Sequence, residues 1–149
     1  MVDKEELLKF CAGFINDRVS RIQKNIAGVQ ESLTSETKSS AGDKHETGRA
    51  MLQLEREKLG QQLLEAEKMQ QLLSKVKPTK QVAAIGLGSV VFTEKNNYFL
   101  SISAGEYTLS AKNIYCISAN TPIGKLLFGK SKGENFIFNG ESIAITDVL

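Results

Sequence analysis

Two acidic residues three apart, Asp43 and Glu46, stand in the polar run Gly42-Asp43-Lys44-His45-Glu46. Carboxylates are the side chains that hold a hard divalent cation, orient a water or act as a general base. If a helix has begun by Asp43, a spacing of three places both near one face. One or two exposed carboxylates leave Mg²⁺ mostly hydrated, so neither acid would bind metal well alone. The same spacing also describes a capping box, with Asp43 as N-cap and Glu46 as N3, which needs no function. His45, the sole histidine, is placed either to relay a proton or to face solvent.

Lys38, Lys44, Arg49, Arg56 and Lys58 gather around the acids. Such cations meet phosphates or partner carboxylates, or form a solvated helix surface. The two cysteines, Cys11 and Cys116, lie far apart in the chain without a Cys-x-x-Cys pair. A disulfide framework or zinc site is not expected from them, and buried free thiols are. A thiol-dependent enzyme would need a histidine beside the nucleophile, which this pattern does not offer.

A net charge of +2 supplies little drive toward duplex nucleic acid, so direct specific DNA binding is not expected. With 41% hydrophobic and 24% charged residues the chain has the make-up of a soluble globular protein and not of a disordered one. The opening Val2-Asp3-Lys4-Glu5-Glu6 lacks the basic-then-apolar pattern of a secretory signal. No apolar run approaches the roughly 20 residues of a membrane span. A cytoplasmic location without membrane contact is expected.

The elements that must position the acids are helical. Leu8, Cys11, Ile15, Val19, Ile22, Ile26, Val29 and Leu33 form one stripe at steps of three and four, with a stutter between Cys11 and Val19. A second stripe runs through Leu52, Leu59, Leu63, Ala66, Met69, Leu73 and Val76. Between them Thr34–Asp43 is polar and turn-forming. The pattern predicts an antiparallel coiled-coil hairpin over residues 1–77, its acidic tip within 34–47, each helix on the order of 50 Å long. A spacer or dimerisation element would share this periodicity. Pro78 ends the second helix and marks the boundary to a second module over 81–149.

That module is rich in Val, Ile, Phe, Tyr and Thr, broken by Gly and Asn. Strands are predicted at 89–93, 98–103, 114–117, 135–138 and 142–147, with Asn139-Gly140 closing a tight hairpin. Thr121, Pro122 and Gly129 bracket a two-turn helix as cap, first residue and terminator. The fold class is therefore α+β, a two-helix hairpin followed by a small antiparallel sheet domain with a short helix.

Two segments resemble the Gre transcript-cleavage factors of bacteria. Gly42 to Ala50, GDKHETGRA, is similar to the family's GDLSENAEY-like tip, with Asp43 and Glu46 on its two acids. Thr121 to Glu134, TPIGKLLFGKSKGE, is similar to its SPIGKALLGKKVGD-like stretch. After Glu46 the family continues Asn-Ala-Glu-Tyr where this chain has Thr47, Gly48, Arg49 and Ala50. The resemblance implies an FKBP-like fold for the second module, RNA polymerase as partner, and a hairpin inserted through the polymerase's secondary channel. There the family stimulates cleavage of backtracked RNA, so the chain is expected to be no enzyme alone but a helper of the polymerase's own hydrolysis. Asp43 would hold a Mg²⁺ shared with polymerase, Glu46 would orient water or act as base, and the nascent RNA 3′ end would lie beside them. Lys44, Arg49, Thr121, Pro122 and Ile123 would contact the partner. A regulator that occupies the channel without cleaving, and a coiled-coil adaptor, are the alternative functions. Isomerase activity is not expected, since the chain has no Trp and few aromatics to build a proline pocket.

Overall fold

The computed structural model describes residues 2–38, 43–78, 83–109 and 111–149. Helix α1 spans Lys4–Lys38 and α2 spans Asp43–Ser74. At about 1.5 Å per residue each is about 50 Å long. The first helix runs one turn beyond the predicted turn start at Thr34, because the Thr34 hydroxyl donates to the Gln30 carbonyl (3.0 Å) and so satisfies itself inside the helix. Helix α2 ends before Pro78 in a tightened turn, with the N–H groups of Lys75 and Val76 donating to the carbonyls of Leu72 and Leu73.

The chain divides into two compact units, residues 1–14 with 71–149 and residues 15–70. In the second unit α1 and α2 pair along a single seam. Ile15, Val19 and Ile22 are buried on one helix, Leu59 and Ala66 on the other. Gln70 donates to Asn16 (2.8 Å), a cross-link between one helix's early part and the other's late part that fixes the antiparallel register. The predicted stripe is buried at Cys11, Ile15, Val19, Ile22, Leu59, Ala66, Leu73 and Val76 and half-buried at Ile26, Val29, Leu33, Leu52, Leu63 and Met69, and Leu7 rather than Leu8 begins it. Leu7 and Cys11 are spaced four apart, which suits packing of the first turns of α1 in the other unit.

In that first unit the described strands are β1 (Val90–Thr93), β2 (Asn97–Leu100), β3 (Gly105–Leu109), β4 (Lys112–Ile117), β5 (Asn135–Phe138) and β6 (Glu141–Val148). They form one sheet in the order β3-β4-β2-β1-β6-β5. The pairings β1–β2, β1–β6, β3–β4 and β5–β6 are antiparallel, and β2–β4 is parallel. The architecture is the α+β arrangement expected, with two departures in detail. Strand β3 was not foreseen, since Gly105 reads as a turn residue; pairing with β4 makes this segment a strand. Its hairpin with β4 then slots β4 between β3 and β2, which creates the parallel neighbour. Asn139 and Gly140 have φ of 52° and 76°, the positive values that a two-residue hairpin loop demands.

Alternation gives the sheet two apolar faces. Val91, Tyr98, Leu100, Phe136, Ile143 and Ile145 make one core together with Ile85 and Leu127 of helix α3 (Pro122–Leu127). On the other face, Val90 pairs with Phe99 and Phe99 with Cys116, and all three are buried along with Ile114 and Ser101. The first turns of α1 lie on this second face. Phe10 packs edge-on to Tyr107 with centroids 5.2 Å apart, and the Cys11 thiol meets the Ser101 hydroxyl at 3.6 Å. Burying each such Leu or Ile side chain contributes about 1.5–3 kcal/mol. The stutter in the heptad falls where α1 passes from one unit to the other, at Phe14 and Ile15.

Candidate functional site

Asp43 is the first residue of α2 and Glu46 lies one turn further along it. The helical spacing therefore brings both acids to the start of one helix. Negative side chains in a first turn are favoured by the positive end of the helix dipole. The Glu46 side chain is exposed, as is that of Arg49. The side chains of Asp43, Lys44 and His45 lie outside the described residues, as do residues 39–42. Among the described residues there is no group of three or more His, Cys, Asp or Glu side chains that would hold a metal ion. The donor set that remains, one described carboxylate with a second acid one turn before it, fits only a loosely held Mg²⁺ whose other ligands come from elsewhere.

The second sequence-predicted site surrounds α3. Thr121 is its N-cap: the hydroxyl accepts from the Gly124 N–H (3.1 Å) and donates to the Ser118 carbonyl (2.7 Å). Pro122 occupies the first turn, where its missing N–H costs nothing, and is exposed. Ile123 packs against the core around Leu127. Gly124 is required by space, because a Cβ there would lie 2.3 Å from the Ser118 carbonyl oxygen. Gly129 follows the helix with φ of 85°. Of the three contact residues predicted around α3, Thr121 caps the helix and Ile123 packs on the core, while Pro122 at its start is exposed, as is Phe128 at its end. Phe128 and Ile137, both more than half exposed, are candidate contact residues that the sequence reading did not single out. Their exposure follows from the positions of α3 and β5 and has no signal in a local apolar pattern.

The cysteines form a third constellation. Both are buried and free, as expected, and the Cys11 thiol meets the Ser101 hydroxyl at 3.6 Å on the sheet face that also carries Cys116. The neighbouring Cys116 thiol lowers the Cys11 pKa, outweighing burial, and Ser101 adds to the lowering. Cys116 is pushed up, by the neighbouring Cys11 thiol and then by burial. Nothing in the spacing of 11 and 116 announces this proximity. Only the alternation of buried Ile114 and Cys116 along β4 hinted at which face the thiol would take.

Among the described residues, no helix is long and apolar enough to cross a membrane. No family model matches the chain, and no curated protein does. Among solved structures it is similar to the GreA factor homolog 1 (Gfh1) protein of Thermus thermophilus, at 18% identity and a TM-score of 0.36, over 91% of this chain and 92% of that one. Thermus aquaticus Gfh1 is similar at 16% identity and a TM-score of 0.37, over 94% of both chains. A further structure of the transcription factor Gfh1 is similar at 19% identity and a TM-score of 0.35, over 90% of both.

Proposed function

We propose that this chain is a transcription elongation factor that enters the secondary channel of RNA polymerase and stimulates cleavage of backtracked RNA by the polymerase active site. The observation that carries the reading is the placement of Asp43 and Glu46 in the opening turn of α2, at the end of long paired helices, within a segment resembling the Gre tip. A loosely chelating pair is useless alone and useful where a polymerase already holds a catalytic metal. Asp43 there would contribute a ligand to a weakly held Mg²⁺, which would supply charge stabilisation to the hydrolysis. Glu46 orients the attacking water or takes its proton. Lys44 and Arg49 meet RNA phosphate or polymerase carboxylates, and the exposed Pro122 at the start of α3 contributes to docking. The chain itself is not the enzyme in this reading; it completes one.

Arg49 favours a second reading. It stands where the Gre-like motif carries a glutamate, so an exposed guanidinium replaces a carboxylate one turn from the acids. A positive charge there opposes recruitment of a cation and suits a regulator that occupies the channel without cleaving. The test is to mix the protein with backtracked elongation complexes and Mg²⁺. Shortening of transcripts from the 3′ end supports the cleavage factor. Binding without shortening selects the non-cleaving regulator, and no binding to polymerase removes both in favour of a coiled-coil adaptor.

A further inference from the structure

Cys11 and Cys116 are 105 positions apart, and the fold buries both at one face of the sheet around Ser101. Cys116 sits inside the sheet, its strand flanked by β2 and β3, with Phe99 and Gly105 as its register partners. Gly105 offers no side chain on that side. Ser101, two residues beyond Phe99, projects to the same face, and its hydroxyl touches the Cys11 sulfur at 3.6 Å. Two thiols and one hydroxyl therefore make a polar cluster under the first turns of α1, in surroundings otherwise made of Leu7, Val90, Phe99 and Ile114.

We propose that Cys11 and Cys116 are an oxidative modification site, at which hydrogen peroxide converts the thiol pair into an intramolecular disulfide that fastens the start of α1 to β4. The Cys11 thiolate attacks one peroxide oxygen, the O–O bond breaks, and the departing hydroxide leaves as water with the Cys11 proton. The Cys116 sulfur then attacks the resulting sulfenic sulfur, the S–O bond breaks as the S–S bond forms, and a second water carries off the Cys116 proton. The two thiols lose two electrons and the peroxide is reduced to two waters. Cys11 attacks first because the pairing of the thiols favours its thiolate over that of Cys116. Peroxide is little larger than water, and opening of the first turns of α1 admits it. The inference does not depend on the partner of the chain.

The experiment treats the full chain with hydrogen peroxide at neutral pH, blocks remaining thiols with N-ethylmaleimide and examines the intact protein and its unreduced peptides by mass spectrometry. The expected product is a monomer that has lost two hydrogens, has no blockable thiol, yields one peptide pair joined through Cys11 and Cys116, and reverts with dithiothreitol. Disulfide-linked dimers overturn the proposal. So does oxygen added to one cysteine without a cross-link, or thiols that stay reduced when the urea-unfolded chain is oxidised. As an independent arm, Cys116→Ser keeps a hydrogen-bonding hydroxyl and is expected to accumulate a Cys11 sulfenic acid that dimedone traps about tenfold faster than Cys116 in Cys11→Ser. The reverse ranking overturns Cys11 as the attacking thiol.

Discussion

Burial along the two long helices differs sharply between the units they serve. In the sheet unit Leu7 and Cys11 are 0% exposed, and the sheet beneath is apolar on both faces. In the helical unit Ile15 and Ile22 are buried, but Ile26, Val29, Leu33 and, across the seam, Leu52 are only half-buried, and Met51 and Leu54 are exposed. A residue on a sheet face is covered from several directions, whereas two helices alone can bury only the stripe between them. Side-chain truncations along this half-buried stripe are therefore expected to cost less stability than truncations in the sheet unit.

Three predictions test this division, beginning with the largest effect. Asp43→Asn is expected to reduce Mg²⁺-dependent transcript cleavage by more than about 100-fold while polymerase affinity and thermal stability stay near wild type, since Asn still suits a helix start and a lost metal ligand of ~3 kcal/mol translates into that factor. Wild-type cleavage rates in this variant would make the acid a structural residue. Next, Ile114→Ala in the sheet should cost about 3–4 kcal/mol of unfolding free energy in urea titrations, and Ile26→Ala in the helical seam about 1 kcal/mol, because one leaves a cavity and the other opens to water. Equal losses would contradict the contrast in packing. Smallest, Thr121→Ala should remove the α3 cap at a cost of about 1 kcal/mol and Thr121→Ser should restore most of it, read from the same titrations. If both variants bind polymerase more weakly by the same factor, the methyl group of Thr121 touches the partner as well as the cap serving the fold.

Much of the candidate site was legible locally. Asp43-x-x-Glu46 followed by helix-forming residues predicts acids in a first turn, and α2 begins at Asp43. Thr121, Pro122 and Gly129 bracketed α3 because capping, a missing N–H and a positive φ are properties of single residues. Thr34 misled, since its hydroxyl serves a turn and a helix interior equally well and chose the Gln30 carbonyl.

The residues alone determined the elements: two apolar stripes at helical spacing, period-two runs after Pro78, and tight turns at glycine and asparagine, all consequences of backbone preference within a few residues. Tertiary structure decided who meets whom. Strand β3 exists because β4 offers it a ladder, β2 and β4 run parallel because β4 enters between its neighbours, and Leu7 replaces Leu8 because the first turns of α1 face a sheet and not a helix. The nearness of Cys11 and Cys116 belongs to the same class. Local preference acts over one or two turns of chain, and bringing residues 11 and 116 together required the sheet's second apolar face to be covered, which no stretch of sequence can report about itself.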